Sequence, residues 1–119
     1  DSRRERGTYL TNDLLALDEP PTALFTGNNL TTLGALSAIN VRGLRVPEDV
    51  ALVGYDDIPW PMALNPPPTV VDQPGYEMGQ RAAQILLERL AHPDRAPTTV
   101  TLQPKLVVRK SCGAAAATD

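Results

Sequence analysis

The chain of 119 residues is 42% hydrophobic and 21% charged and has a net charge of −3 at pH 7, which describes one modest globular domain. Its mildly acidic balance, without a block of lysine and arginine, provides no electrostatic surface for nucleic acid, so we expect no DNA binding by this piece alone. No apolar run approaches the roughly 18 residues that a transmembrane helix requires, so no membrane partner is expected.

The predicted elements alternate between helices and short strands. Helices are indicated by apolar residues three and four positions apart, and strands by short β-prone runs bounded by glycine and proline. In the first half of the chain we predict a helix over 8–17, a strand over 22–26, a helix over 30–42 and a strand over 50–53. In the second half we predict a strand over 69–72, a helix over 75–90 and strands over 98–102 and 106–108. This order predicts an α/β fold with a mainly parallel sheet flanked by helices.

The helix predicted over 30–42 is apolar on nearly all sides. Its apolar residues form two opposite faces, one with Leu30, Gly34, Ala38 and Val41 and the other with Ala35, Leu36 and Ile39. A helix of this kind is normally buried on both sides. One face would cover the sheet. The other would be covered by a second element of the same domain or by a partner subunit, and the pattern alone leaves both open.

Two adjacent carboxylates, Asp56 and Asp57, follow the apolar run that ends in Gly54. Ligands of open α/β sheets bind beyond the carboxyl ends of the strands, so these acceptors lie where a small molecule would bind. Adjacent side chains on an extended segment point to opposite sides, whereas glycoside hydrolysis requires carboxylates that face each other. Accepting a hydrogen bond from a sugar hydroxyl is therefore the better role for one of them, and two solvated turn residues are the alternative.

Asn28, Gln73 and Trp60 are further candidates for ligand contact. Asn28 lies between a strand and a helix, and its amide both donates and accepts, although helix capping is an equal alternative. Gln73 follows the strand over 69–72 and is either a ligand contact or a turn residue. Trp60 flanks the carboxylates and can stack on a sugar, but packing is the favoured role.

The sequence contains no motif that indicates catalysis or metal binding. The sole histidine, His92, lies in a predicted loop beside Pro93. No cysteine and histidine spacing suits zinc, and no glycine-rich phosphate loop is present. We therefore expect a protein without enzymatic activity, metal or cofactor. The single cysteine, Cys112, cannot form an internal disulfide, which fits a reducing compartment.

Several segments in order resemble the carboxy-terminal part of LacI/GalR-type transcriptional regulators. They are residues 21–29, 43–51, 53–59 and 107–111. The resemblance runs from about Leu10 to Ser111. It implies one lobe of a two-lobed fold similar to periplasmic sugar-binding proteins, and it covers only about the last third of such a regulator.

The resemblance implies a function that the residues alone do not. A small effector, carbohydrate or nucleoside, would bind between two lobes and change the spacing of DNA-binding heads in a cytoplasmic homodimer. DNA would be bound only through a helix-turn-helix outside this chain. The implied effector contacts are Asn28, Asp56 and Gln73. The implied dimer surface consists of Leu30, Leu33, Ala35, Leu36 and Leu64.

The resemblance also implies different roles for the two adjacent carboxylates. The first acidic residue of this pair contacts the effector in the family, which is Asp56 here, so Asp57 is expected to cap or brace the loop. Asn28 keeps the family's contact residue. Asn29 stands where the family usually has aspartate, and it loses that charge.

The implied domain is a partial effector-binding domain over residues 1–111, followed by a disordered tail over 112–119. The helix within 74–92 is implied to pack on an amino-terminal lobe that this chain lacks. Its apolar stripe, which includes Met78, Ile85 and Leu86, would then be uncovered. Large exposed apolar surfaces drive association, so we expect the chain alone to self-associate or to swap domains.

Two other classes of protein remain as alternatives. A solute-binding protein of a sugar transporter shares the architecture but would be secreted and usually monomeric. A hydrolase would use Asp56 or Asp57. The segments 43–51 and 107–111 fit regulators better than solute-binding proteins.

Overall fold

The structure, a computed structural model, describes residues 2–60 and 64–114. Gln73–Lys105 form one compact unit, and the other described residues form a second, larger one. The larger unit contains the elements α1 (Arg3–Leu15), β1 (Ala23–Phe25), α2 (Asn29–Val41), β2 (Ala51–Tyr55), β3 (Thr69–Asp72) and a one-turn 3-10 helix (Lys110–Cys112). The smaller unit contains α3 (Gly75–Ala91), and β4 (Lys105–Val107) begins at its last residue.

The strands form one sheet in the order β1-β2-β3-β4. The strand β2 is parallel to both of its neighbours, with Leu24 beside Leu52 and Gly54 beside Val70. The helix α2 joins β1 to β2, as the alternating pattern predicts, and the predicted α/β fold with a mainly parallel sheet is confirmed.

The core of the larger unit lies between α2 and the sheet. Ala35 and Ile39 on α2 are each 1% exposed, and Leu52 in the central strand is fully buried. The opposite side of α2 packs against α1, where Gly34 lies so close to α1 that an added Cβ would be 2.7 Å from the backbone nitrogen of Thr8. An element of the same domain therefore covers α2 here, which was one of the two possibilities left open by the pattern.

The helix α1 begins five residues earlier than the predicted start at residue 8. Ser2 caps it, because the Ser2 hydroxyl accepts a hydrogen bond from the Glu5 amide at 3.2 Å and the Glu5 carboxylate accepts one from the Ser2 amide at 3.0 Å. The spacing of leucines located the body of the helix but not its capped start. The arginines at the start of this helix, Arg3, Arg4 and Arg6, are exposed.

The strand predicted over 98–102 is wrong, since no strand forms there. Its residues have β propensity, but propensity alone does not make a strand without a neighbour to pair with. The predicted last strand is confirmed as β4 within one residue of its expected bounds. Cys112 and Gly113, assigned to the tail by the sequence, form and cap the 3-10 helix, and residues 115–119 of that tail lie outside the described part of the chain.

The helix α3 matches its predicted range to within one residue. None of its residues is buried, and the apolar stripe includes Met78 at 47% and Leu86 at 59% exposure. Docking of this stripe on a further lobe therefore stays a prediction. Over the described ranges, the chain contains no helix with the length and apolarity that crossing a membrane demands.

Candidate ligand-binding site

Asn28 and Asp56 lie at the same edge of the sheet. Asn28 follows β1, which ends at Phe25, and Asp56 follows β2, which ends at Tyr55. Because β1 and β2 are parallel neighbours, their carboxyl ends meet at one edge. The structure thus places two residues that are 28 positions apart in the sequence at one edge of the sheet, which is where open α/β sheets bind ligands.

Asn28 is the N-cap of α2. Its side-chain oxygen accepts a hydrogen bond from the backbone N–H of Thr31 at 2.9 Å. The Thr31 hydroxyl in turn accepts one from the backbone N–H of Asn28 at 3.2 Å. The capping role is therefore present. Since the cap uses the oxygen of the side chain, the NH₂ group of Asn28 is not part of the cap, and a ligand contact by Asn28 stays a prediction.

Asp56 ends β2 with a change of backbone direction. Its φ is +73°, in the left-handed region that few residues other than glycine adopt. Its backbone N–H donates to the Val71 carbonyl at 2.9 Å, so the residue remains attached to β3 while its chain turns away. The assumption that Asp56 and Asp57 lie on an extended segment is therefore wrong. Residues held in such conformations cluster at functional sites.

Asp57 braces the loop, as the resemblance implied. Its Oδ2 accepts a hydrogen bond from Nη2 of Arg109 at 2.7 Å, and its Oδ1 accepts from Nη1 of Arg109 at 3.0 Å and from Nε1 of Trp60 at 2.6 Å. The Arg109 guanidinium holds the pKa of the Asp57 carboxyl below its usual range, and the carboxylate raises the pKa of Arg109 in return. Both carboxylate oxygens of Asp57 therefore accept hydrogen bonds from donors within the protein.

Trp60 is half-buried and directs its indole N–H to Asp57. This contact supports the packing role that the sequence favoured, and stacking of Trp60 on a ligand stays a prediction.

Arg109 had no predicted role. The only sequence signal for it was a basic residue inside the segment 107–111, one of those that carry the resemblance.

Gln73 is the first residue of the smaller unit. Its backbone carbonyl accepts a hydrogen bond from the Gly75 amide at 2.8 Å, so it forms the turn that leads into α3. The turn role is thus present, and a ligand contact by its side chain stays a prediction.

The predicted dimer residues differ in how much surface they offer. Leu30 is 40% exposed, and Leu33 and Leu64 are half-buried. Ala35 and Leu36 belong to the core cluster with Leu52, at 1% and 8% exposure, and therefore offer little area to a partner. Leu33, Leu36 and Leu64 help to line a cavity of about 400 Å³ between α2 and the segment before β3.

Within the described residues no group of three or more histidine, cysteine, aspartate or glutamate side chains is placed to hold a metal ion. His92 lies directly after α3 and donates its backbone N–H to the Glu88 carbonyl. With Asp57 bound to Arg109, the adjacent carboxylates do not form an acid and base pair.

This fold and this site define a small-molecule-binding α/β domain. The chain belongs to the family described as periplasmic binding protein-like domain, whose profile matches residues 1–112. The resemblance to LacI/GalR-type transcriptional regulators is confirmed by relatives in sequence and in structure.

The HTH-type transcriptional repressor PurR of Mannheimia succiniciproducens is 43% identical over 107 residues, which cover 90% of this chain and 32% of that repressor. The structure of a transcriptional regulator CelR-cellobiose complex matches with a TM-score of 0.83 and 36% identity, over 91% of this chain and 33% of that one. A LacI family regulator from Enterococcus faecium with bound ribose matches with a TM-score of 0.79 and 30% identity, over 91% of this chain and 39% of that one. The chain therefore spans about a third of the length of the repressor it resembles.

Proposed function

We propose that this chain is the effector-binding and dimerisation part of a LacI-type DNA-binding transcriptional regulator, with a carbohydrate or nucleoside as effector. The observation that carries the proposal is the position of Asn28 and Asp56 after two neighbouring strands, at the same carboxyl edge of the parallel sheet. The relatives that contain cellobiose and ribose support a ligand with hydroxyl groups.

In the proposed mechanism, Asp56 accepts hydrogen bonds from ligand hydroxyls and the Asn28 amide donates one. Such a pair suits polyols, because a carboxylate only accepts whereas an amide also donates. Effector binding would shift the population of conformations of the full regulator and so change the spacing of its DNA-binding heads. DNA binding would belong to a helix-turn-helix outside this chain, and the protein would act in the cytoplasm.

The substitution Asp56→Asn tests the ligand site. Asparagine keeps the shape of the side chain and tolerates a positive φ, so the fold should persist while the charge is lost. We expect the affinity for ribose or cellobiose to fall about 10-fold or more, because a hydrogen bond to a charged group is worth roughly 1.5–3 kcal/mol. Isothermal titration of the complete protein measures this change.

The matched control is Asp13→Asn on the exposed face of α1, which should leave the affinity unchanged. Equal affinities of the Asp56→Asn and unsubstituted proteins would exclude Asp56 from the site. If the unsubstituted protein releases glucose from cellobiose and Asp56→Asn does not, the hydrolase alternative is supported instead. A transport receptor is less well supported, because the matched relatives are named as repressors and regulators.

We propose further that Leu33 and Leu64, beside the cavity next to α2, contact a second copy of this chain. Leu33→Asp would place a charge in that apolar surface, so we expect a shift from dimer to monomer in sedimentation. Val41→Asp, on the same helix at a residue already 84% exposed, is the control and should leave the dimer intact. If instead Leu86→Asp on α3 alone dissociates the protein, the stripe of α3 is the interface and this proposal fails.

A further inference from the structure

We propose that Arg109 is a positioning residue for the ligand site. Together with Asp57 and Trp60 it forms a clamp that holds Asp56 in its left-handed conformation and thereby sets the direction of the Asp56 carboxylate. The consequence for ligand affinity rests on the function proposed above, whereas the consequence for the conformation of Asp56 does not.

The clamp immobilises the residue next to Asp56. Both oxygens of Asp57 accept hydrogen bonds from Arg109, at 2.7 and 3.0 Å, in the bidentate geometry that only a guanidinium provides. Asp57 also accepts from the indole of Trp60 and from the Ile58 amide at 3.1 Å. The side chains of Arg109 and Asp57 are 26% and 22% exposed, so solvent screens this ion pair less than one on the open surface.

Arg109 is itself fixed to the base of β3. Its backbone N–H donates to the Thr69 hydroxyl at 2.8 Å, and that hydroxyl donates to the Arg109 carbonyl at 2.9 Å. Its Nη1 also donates to the Pro68 carbonyl at 2.9 Å. An arginine held at both its backbone and its guanidinium is a rigid support for Asp57, unlike an arginine on a free surface.

Asp56 is thus fixed on both sides. Its own N–H is bound to Val71 in β3, and the following residue is bound by the clamp. A left-handed aspartate persists only where its surroundings impose that conformation. If the clamp is released, the backbone at Asp56 can return to the extended region, which turns the carboxylate away from the edge that it shares with Asn28.

Amide hydrogen exchange tests the conformational part in the absence of any ligand. In Arg109→Met, exchange of the Asp56 N–H should become about 10-fold faster, because its bond to Val71 depends on a fixed loop. Asp57→Asn, which keeps the shape and the acceptor for Trp60, should give a smaller increase in the same direction. Arg109→Lys should restore only part of the protection, because an ammonium cannot bind both oxygens in parallel.

The matched control is Arg45→Met. Arg45 also forms a bidentate pair, with Asp49 at 2.9 and 3.0 Å, but on the exposed turn before β2. This variant should leave the exchange of Asp56 unchanged. Unchanged exchange of Asp56 in both Arg109→Met and Asp57→Asn would overturn the clamp. An equal acceleration of all amides in β1 and β2 would also overturn it, since Arg109 would then serve only overall stability.

Ligand affinity tests the second part. Arg109→Met in the complete protein should weaken ribose or cellobiose binding several-fold, with partial recovery in Arg109→Lys. Faster exchange at Asp56 with unchanged affinity in both Arg109→Met and Asp56→Asn would show that the proposed ligand site is wrong while the clamp is right. Unchanged affinity in Arg109→Met alone would show that positioning by Arg109 is not needed for binding.

Discussion

Replacing Gly34 by alanine is expected to lower the free energy of unfolding by about 3 kcal/mol, the upper part of the usual range for overpacking. An added Cβ would meet the backbone carbonyl of Arg4 and lie 2.7 Å from the backbone nitrogen of Thr8. Both neighbours belong to the main chain of α1, so no side chain can rotate away. The helices would have to separate, and the hydrogen bond from the Thr8 hydroxyl to the Gly34 carbonyl, 3.1 Å long, would be lost.

The sign of the change in the free energy of unfolding distinguishes close contact from open space around Gly34. Without the contact, alanine would stabilise the helix, because it is a better helix former than glycine by about 1 kcal/mol. Gly79 provides the matched control, since it also lies inside a helix but an added Cβ there meets nothing within 4 Å. Gly79→Ala should therefore raise stability by about 0.5–1 kcal/mol. Urea denaturation followed by circular dichroism measures both variants. A stabilised Gly34→Ala protein would contradict the close contact between α1 and α2.

The elements themselves were predictable because their signals are local. The bounds of β3 match the predicted strand over 69–72, where a short apolar run lies between prolines. Gly43 has the positive φ of 70° expected of a residue that ends a helix. The strand predicted over 98–102 failed for the complementary reason, since pairing depends on a neighbour that local sequence does not reveal.

The ligand site was predictable only in part. Strand ends placed Asn28 and Asp56 at one edge, because parallel topology follows from the alternation of helices and strands. The ion pair between Asp57 and Arg109 joins residues 52 positions apart, and the chain between them contains β3, α3 and β4. No periodicity links such residues. The left-handed conformation of Asp56 was missed for a similar reason, because aspartate itself does not demand it.

Ser111→Ala is expected to lower the free energy of unfolding by about 2–3 kcal/mol, because each buried polar group left unpaired costs roughly 1–3 kcal/mol. The hydroxyl of Ser111 is fully buried, accepts a hydrogen bond from the Thr69 amide at 2.7 Å and donates one to the Leu52 carbonyl at 2.6 Å. One oxygen atom therefore joins the segment after β4 to both central strands. Alanine would leave a buried N–H and a buried C=O without this partner.

The loss should come from hydrogen bonds rather than from packing, since Ser111→Ala removes a single oxygen and leaves little cavity. Ser111→Cys separates the two causes, because a thiol fills the space but is only a weak donor and acceptor. We expect Ser111→Cys to remain clearly destabilised and the Thr69 amide to exchange faster in both variants. Ser37→Ala, on the half-buried side of α2, is the control and should not lose stability. Full stability of Ser111→Cys would mean that packing, and not the bridge between Leu52 and Thr69, holds this segment in place.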